Sequence, residues 1–220
     1  MADCHEAHRT ILRAFPDLKG ESKSARERFG ILYRIDSSSK NGTITVLVQS
    51  MEKPDWTKLP EGYLNEAPAC KPVDEQYKNI KEGMTLAFRL RANPTKKIGT
   101  SPKMDKNKSK NNGRRIPIGD EKAQIEWLKR KGKNCGFDLI TVRAAPAIFD
   151  VQANEESGIY GSVSRGIKMD EKKGCKLISF ASVIFEGRLR VTNREKFIET
   201  LKSGIGSGKA YGFGLVSIAR

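Results

Sequence analysis

Met84-Thr85-Leu86-Ala87-Phe88-Arg89-Leu90-Arg91 places large apolar side chains at every second position, Leu86, Phe88 and Leu90, with Ala87, Arg89 and Arg91 between them. A period of two belongs to an extended chain, so the stretch predicts a β-strand with one face toward a core and the other cationic. Working back, Phe29, Ile31, Tyr33 and Ile35 alternate in the same way, and Asn41-Gly42 separates them from Ile44, Val46 and Val48. That is the pattern of a β-hairpin. Further back, Ala7, Ile11, Leu12 and Phe15 form one stripe at helical spacing and Pro16 closes the segment, which predicts a short amphipathic helix over Cys4 to Phe15. A polar, proline-rich stretch from Lys53 to Pro72 and a weakly helical segment, Val73 to Lys81, precede this strand.

Working forward, Pro94 to Arg115 carries Lys96, Lys97, Lys103, Lys106, Lys108, Lys110, Arg114 and Arg115 against Asp105 alone, the composition of a basic loop. A second helix is predicted over Asp120 to Lys131, with Ile125 and Leu128 at i, i+3. Strand-like runs follow at Leu139 to Val142, Ala147 to Val151, Leu177 to Phe185 and Arg188 to Val191. Asn193 predicts the cap of a last helix in which Phe197, Ile198 and Leu201 share a face, and the glycine-rich Gly204 to Gly214 leads into a final strand, Leu215 to Ile218. The order α-β-β-α-β in the first half, repeated less cleanly in the second, predicts an α+β protein of two tandem ferredoxin-like (RRM-like) halves. The expected units are an N-terminal domain over 1–93 that lacks its opening strand, a basic linker over 94–118 and a C-terminal domain over 119–220.

The 220 residues hold 41 Lys and Arg against 26 Asp and Glu, a net charge of +15, while 37% of them are apolar. The chain is therefore foldable and basic, and such an excess favours polyanions, of which nucleic acid is the commonest. The N-terminal Met1-Ala2-Asp3-Cys4-His5 has no signal-peptide pattern, and no apolar run approaches the roughly 18 residues of a membrane span, so a soluble, unexported protein is expected. Cys4, Cys70, Cys135 and Cys175 lack C-x-x-C spacing and are expected to be reduced and structural.

The only histidines, His5 and His8, are spaced i, i+3 and so share one side of the first helix. Paired imidazoles can do acid and base work near neutrality. On pattern alone, His8 also fits a core histidine, because it falls on the Ala7, Ile11, Leu12, Phe15 stripe. A zinc site at Cys4, His5 and His8 is disfavoured, since H-E-A-H is one residue short of H-E-x-x-H. The glycine-rich stretch is not a Walker A loop, for Ser203 and Ala210 occupy two of its required positions. Its bare N–H groups suit either a phosphate or a tight helix-to-strand turn. Arg89 and Arg91, joined to Lys96, Lys97, Arg114 and Arg115, predict a basic surface for an RNA backbone.

Taken together, the His8-Arg9-Thr10-Ile11-Leu12 helix, Phe88-Arg89-Leu90-Arg91-Ala92-Asn93-Pro94, and Arg114-Arg115-Ile116-Pro117 followed by Gln124 and Trp127-Leu128 resemble the CasE family of CRISPR-associated endoribonucleases. Phe185-Glu186-Gly187-Arg188-Leu189 and Gly204 to Leu215 extend the resemblance over nearly the whole chain. It implies a protein that grips a CRISPR-repeat hairpin, cuts precursor crRNA at the base of the stem with neither metal nor cofactor, and leaves a 2′,3′-cyclic phosphate and a 5′-hydroxyl. The product would stay with the other subunits of a type I-E surveillance complex in the cytoplasm. By motif position His8 corresponds to the catalytic histidine, and Arg13 stands where relatives can place a Lys. His5 occupies a position often held by Tyr and is a candidate second proton-transfer group. Arg9, Arg165, Lys168 and Lys209 complete the set expected to hold RNA. The family begins with a strand ahead of the catalytic helix, so exposed edges and apolar surface are expected where that strand would pair. A non-catalytic RNA-binding subunit of similar fold is the competing expectation.

Overall fold

The structure is a computed structural model and describes residues 3–18, 24–37, 42–97, 115–163 and 176–220. In chain order the elements of the first part are α1 (Cys4–Leu12), α2 (Ala25–Arg28), β1 (Leu32–Ser37), β2 (Ile44–Gln49), α3 (Asp74–Lys78), β3 (Thr85–Ala92) and β4 (Thr95–Lys97). The second part contains β5 (Arg115–Pro117), α4 (Glu121–Cys135), β6 (Phe137–Leu139), β7 (Thr141–Val142), β8 (Ala145–Phe149), β9 (Val151–Val163), β10 (Lys176–Val191), α5 (Arg194–Ser203) and β11 (Val216–Ala219). A single 3-10 turn, Lys209–Tyr211, lies within the glycine-rich segment.

The main sheet has the order β11-β3-β10-β6, every pair antiparallel, and β9 lies against the earlier part of β10. With α4 between β3 and β6, and α5 between β10 and β11, this is a complete βαββαβ ferredoxin-like unit. The central strand therefore opens the second unit instead of closing the first. The expected boundary at residue 93 cuts through this sheet. The expected linker lies between the unit's first strand and first helix, rooted by a small β4–β5 ladder in which Lys97 pairs with Arg115.

Leu86, Phe88 and Leu90 face the core as their alternation predicts, packed with Trp127 and Leu128 of α4, Phe185 and Leu189 of β10, and Phe197 and Leu201 of α5. Full burial of one such side chain is worth about 1.5–3 kcal/mol. Both helices begin at side-chain caps, where Asp120 accepts from the Ala123 N–H and Asn193 from the Lys196 N–H. These caps satisfy N–H groups that the helix itself leaves unpaired.

The first part has a smaller core. Ile11, Ala14 and Phe15 pack on Ile31 and Tyr33, with Val46, Val48 and Trp56 at the margin. Among the described residues β1 and β2 pair only with each other. Ile44 and Leu47 on β2 stand 68% and 41% exposed. Of the described cysteines, Cys4 is buried, Cys135 half-buried and Cys70 exposed, so Cys70 departs from the structural role expected of it.

Candidate active site and RNA-binding surface

The first helix starts at Asp3, whose side chain accepts from the His5 N–H at 2.8 Å. Its buried stripe is Cys4, Ala7 and Ile11. His8 lies at the edge of that stripe and is half-buried, so it is not a sealed core residue. Two rings stand beside the histidine pair, and a third backs one of them. Tyr33 of β1 lies nearly parallel to His8, with centroids 6.5 Å apart, and Tyr211 stands 6.2 Å from His8 and 6.3 Å from His5. Phe180 backs Tyr211 from 5.0 Å.

Glycine-rich backbone brings Tyr211 to this place. The Tyr33 hydroxyl donates to the Ala210 carbonyl at 2.9 Å, and the Gly214 N–H donates to the Arg91 carbonyl at 2.8 Å. Gly212 has φ +84°, a conformation that L side chains rarely adopt, and a Cβ there would press on the Tyr33 ring at 3.2 Å, so the position favours glycine on both counts. Of the two uses the glycines suggest, the tight turn is formed, and it sets Lys209 and Tyr211 beside α1.

Burial holds the His8 imidazole at about 4, below its ordinary 6.5, with smaller contributions from His5 and Arg26. A neutral ring at pH 7 is a proton acceptor. Burial likewise lowers the Lys209 ammonium, again with Arg26 contributing. Arg26, on α2, thus acts electrostatically on both groups. It pairs with Glu27 at 3.2 Å and keeps 22% of its side chain exposed. His5 Nδ1 is buried without a hydrogen-bond partner among the described residues.

Of the remaining expected residues, Arg13 caps the end of α1 and is exposed, but it does not figure among the charges that act on His8. Arg9 is exposed and paired with Glu6 at 3.0 Å. Lys96, Lys97 and Arg115 are exposed at the root of the basic loop. Arg91 is a correction. It is 8% exposed and forms two bonds to Glu156, at 2.7 and 2.6 Å, so its charge is met inside the protein and is not available to RNA. Arg89 is partly exposed and paired with Glu186 at 3.0 Å. Period-two alternation places both arginines opposite the core but cannot show that acidic residues of β9 and β10 wait there. Arg114, Arg165 and Lys168 lie outside the described residues.

Sequence reasoning passed over Arg26, Tyr33 and Tyr211. Tyr211 sits inside the glycine-rich stretch that was singled out, and a tyrosine among glycines was the available signal. Arg26 had none, because its meeting with His8 is a product of folding. No helix among the described residues is long and apolar enough to cross a membrane.

Comparison with known proteins gives the arrangement relatives. A family profile described as "CRISPR associated protein" matches residues 1–220. The chain is 33% identical over 219 residues to the CRISPR-associated endoribonuclease Cse3 of Thermus thermophilus, covering 100% of this chain and 91% of that one. It is 29% identical over 217 residues to the CRISPR system Cascade subunit CasE of Escherichia coli, covering 99% and 92%. Among solved structures, CRISPR endoribonuclease Cse3 bound to a 19-nucleotide RNA superposes with a TM-score of 0.72 at 32% identity, covering 100% of this chain and 91% of that chain. The E. coli CRISPR-associated protein Cas6e superposes with a TM-score of 0.63 at 25% identity, covering 99% and 92%. A profile match over the whole chain, together with a relative 33% identical over 219 residues, places the protein: the chain belongs to the CasE family of CRISPR-associated proteins.

Proposed function

We propose that this chain is an endoribonuclease that cuts the repeat hairpin of precursor CRISPR RNA without a metal cofactor. On this reading it keeps the product as a subunit of a type I-E surveillance complex in the cytoplasm. The observation that carries the reading is His8, a half-buried imidazole held neutral at pH 7 with His5 one turn away, the cation Arg26 acting on it, and Lys209 on the segment that packs against its helix. Relatives named as an endoribonuclease and as a Cascade subunit support it.

The RNA supplies its own nucleophile. A ribose 2′-oxygen attacks the adjacent phosphorus, its proton passes to His8, and the bond from phosphorus to the 5′-oxygen breaks. That oxygen takes a proton from His5, giving a 2′,3′-cyclic phosphate and a 5′-hydroxyl. Arg26 and Lys209 offset the negative charge that gathers on the phosphoryl oxygens. Entry of the phosphodiester anion also raises the basicity of His8, because a nearby negative charge favours the imidazolium. Lys96, Lys97 and Arg115 hold the stem backbone.

The test is single-turnover cleavage of a repeat hairpin in EDTA. Wild-type protein should cut, and His8→Ala should slow the reaction by about 10²–10⁴-fold while still binding the hairpin. Intact RNA with the wild type would leave a non-catalytic RNA holder in its place.

A further inference from the structure

We infer that Tyr211 is a further catalytic group of the site, donating its hydroxyl hydrogen to a non-bridging oxygen of the scissile phosphate. This deepens the reading just given and rests on it. The argument begins with the position of the ring. A phosphate whose 2′-oxygen is served by one imidazole and whose 5′-oxygen is served by the other must lie between them. Tyr211 stands at nearly equal distance from both, 6.3 Å from His5 and 6.2 Å from His8, tilted 42° and 59° to them. It therefore borders the space that the phosphate would fill.

The ring is also held rigidly, which a hydrogen-bond donor to a transition state requires. Phe180 packs on it at 5.0 Å, and Phe180 in turn packs on the buried Phe213 at 5.5 Å. The register of β10 shifts between Phe180 and Ser182, the irregularity at which a strand re-aims a side chain. Behind the ring, the preceding residue is fixed by the Tyr33 hydroxyl on the Ala210 carbonyl. Tyr211 itself remains half-buried, so part of it reaches solvent.

Its chemistry fits a donor and not a base. Burial, then the nearby Cys4 and Asp3, push its pKa above the ordinary 10, so the phenol keeps its proton throughout the neutral range. Arg26 and Lys209 supply charge, whereas Tyr211 supplies one directed hydrogen bond that strengthens as the phosphoryl oxygens gain charge. No proton is transferred in this step.

Tyr211→Phe keeps the ring and its packing and removes only the hydroxyl. Single-turnover cleavage of the repeat hairpin at saturating protein should fall about 10- to 100-fold, toward the loss seen when one oxyanion donor is removed. Affinity for a hairpin with 2′-deoxyribose at the cut should stay within about twofold, since the bond matters most in the transition state. Replacing one non-bridging oxygen by sulfur should slow the wild type in one diastereomer and slow Tyr211→Phe less. Cleavage by Tyr211→Phe at the wild-type rate, or a rate loss matched by an equal loss of affinity, overturns the inference and leaves the nuclease reading intact. A wild-type protein that binds the hairpin but never cuts it overturns both.

Discussion

The imidazole of His8 lies within 17° of the plane of Tyr33, and the Tyr33 hydroxyl donates to the carbonyl of Ala210, 177 residues away in sequence. One tyrosine thus joins the helix that carries the base to the glycine-rich segment that carries Lys209 and Tyr211. Ring packing holds one partner and a hydrogen bond holds the other.

Tyr33→Phe preserves the ring and cuts the link to Ala210. Urea denaturation should show a loss of about 1 kcal/mol, the usual net worth of one hydrogen bond. Cleavage should fall as well, because Lys209 and Tyr211 lose their anchor. An unchanged denaturation midpoint together with an unchanged rate would show that the segment holds its position without this bond.

The low pKa of His8 sets a pH window. The ring stays neutral until the pH falls to about 4, so the acid limb of kcat/KM, which reports the free protein, should lie near 4 and not near 6.5. Stability should carry the same signature. Between pH 6.5 and about 4 the unfolded chain takes up the proton that the folded chain resists, so this contribution is whole above 6.5 and is lost as the pH falls toward 4. Urea midpoints at pH 7 and pH 4.5 should therefore drop more for the wild type than for His8→Leu. Equal drops would place the ring in ordinary solvent.

Basic residues divide into those that hold the fold and those that can hold RNA. Arg91→Ala strands the partly buried Glu156 carboxylate and should cost about 3 kcal/mol of stability, the lower end for a broken buried pair. Lys96→Ala with Lys97→Ala should leave stability nearly unchanged, weaken hairpin binding, and reduce the slope of log K against log salt by about one to two. A stable Arg91→Ala protein with a reduced salt slope would return Arg91 to the RNA surface.

Much of the local structure was legible from the sequence. Alternating Leu86, Phe88 and Leu90 gave a strand, the stripe of Ala7 and Ile11 gave a helix, and Asn193 gave a cap, because each signal is complete within a few neighbouring residues. Strand order was not legible in the same way. The element order assigns Thr85 to Ala92 to the unit before it, yet the strand pairs with strands about a hundred residues later, and the motif order that identified the family says nothing about such pairing.

Charge and residue type alone determined that this protein is basic, mixed in secondary structure and equipped with two histidines on one helical face. Folding alone decided which cations remained free and which rings met His8. Arg91 found Glu156 across the sheet, while Arg26, Tyr33 and Tyr211 came to the helix from three separate segments. The reason is one of range: periodicity and capping act over a turn of chain, whereas ion pairing and desolvation depend on what the finished fold brings within a few ångströms.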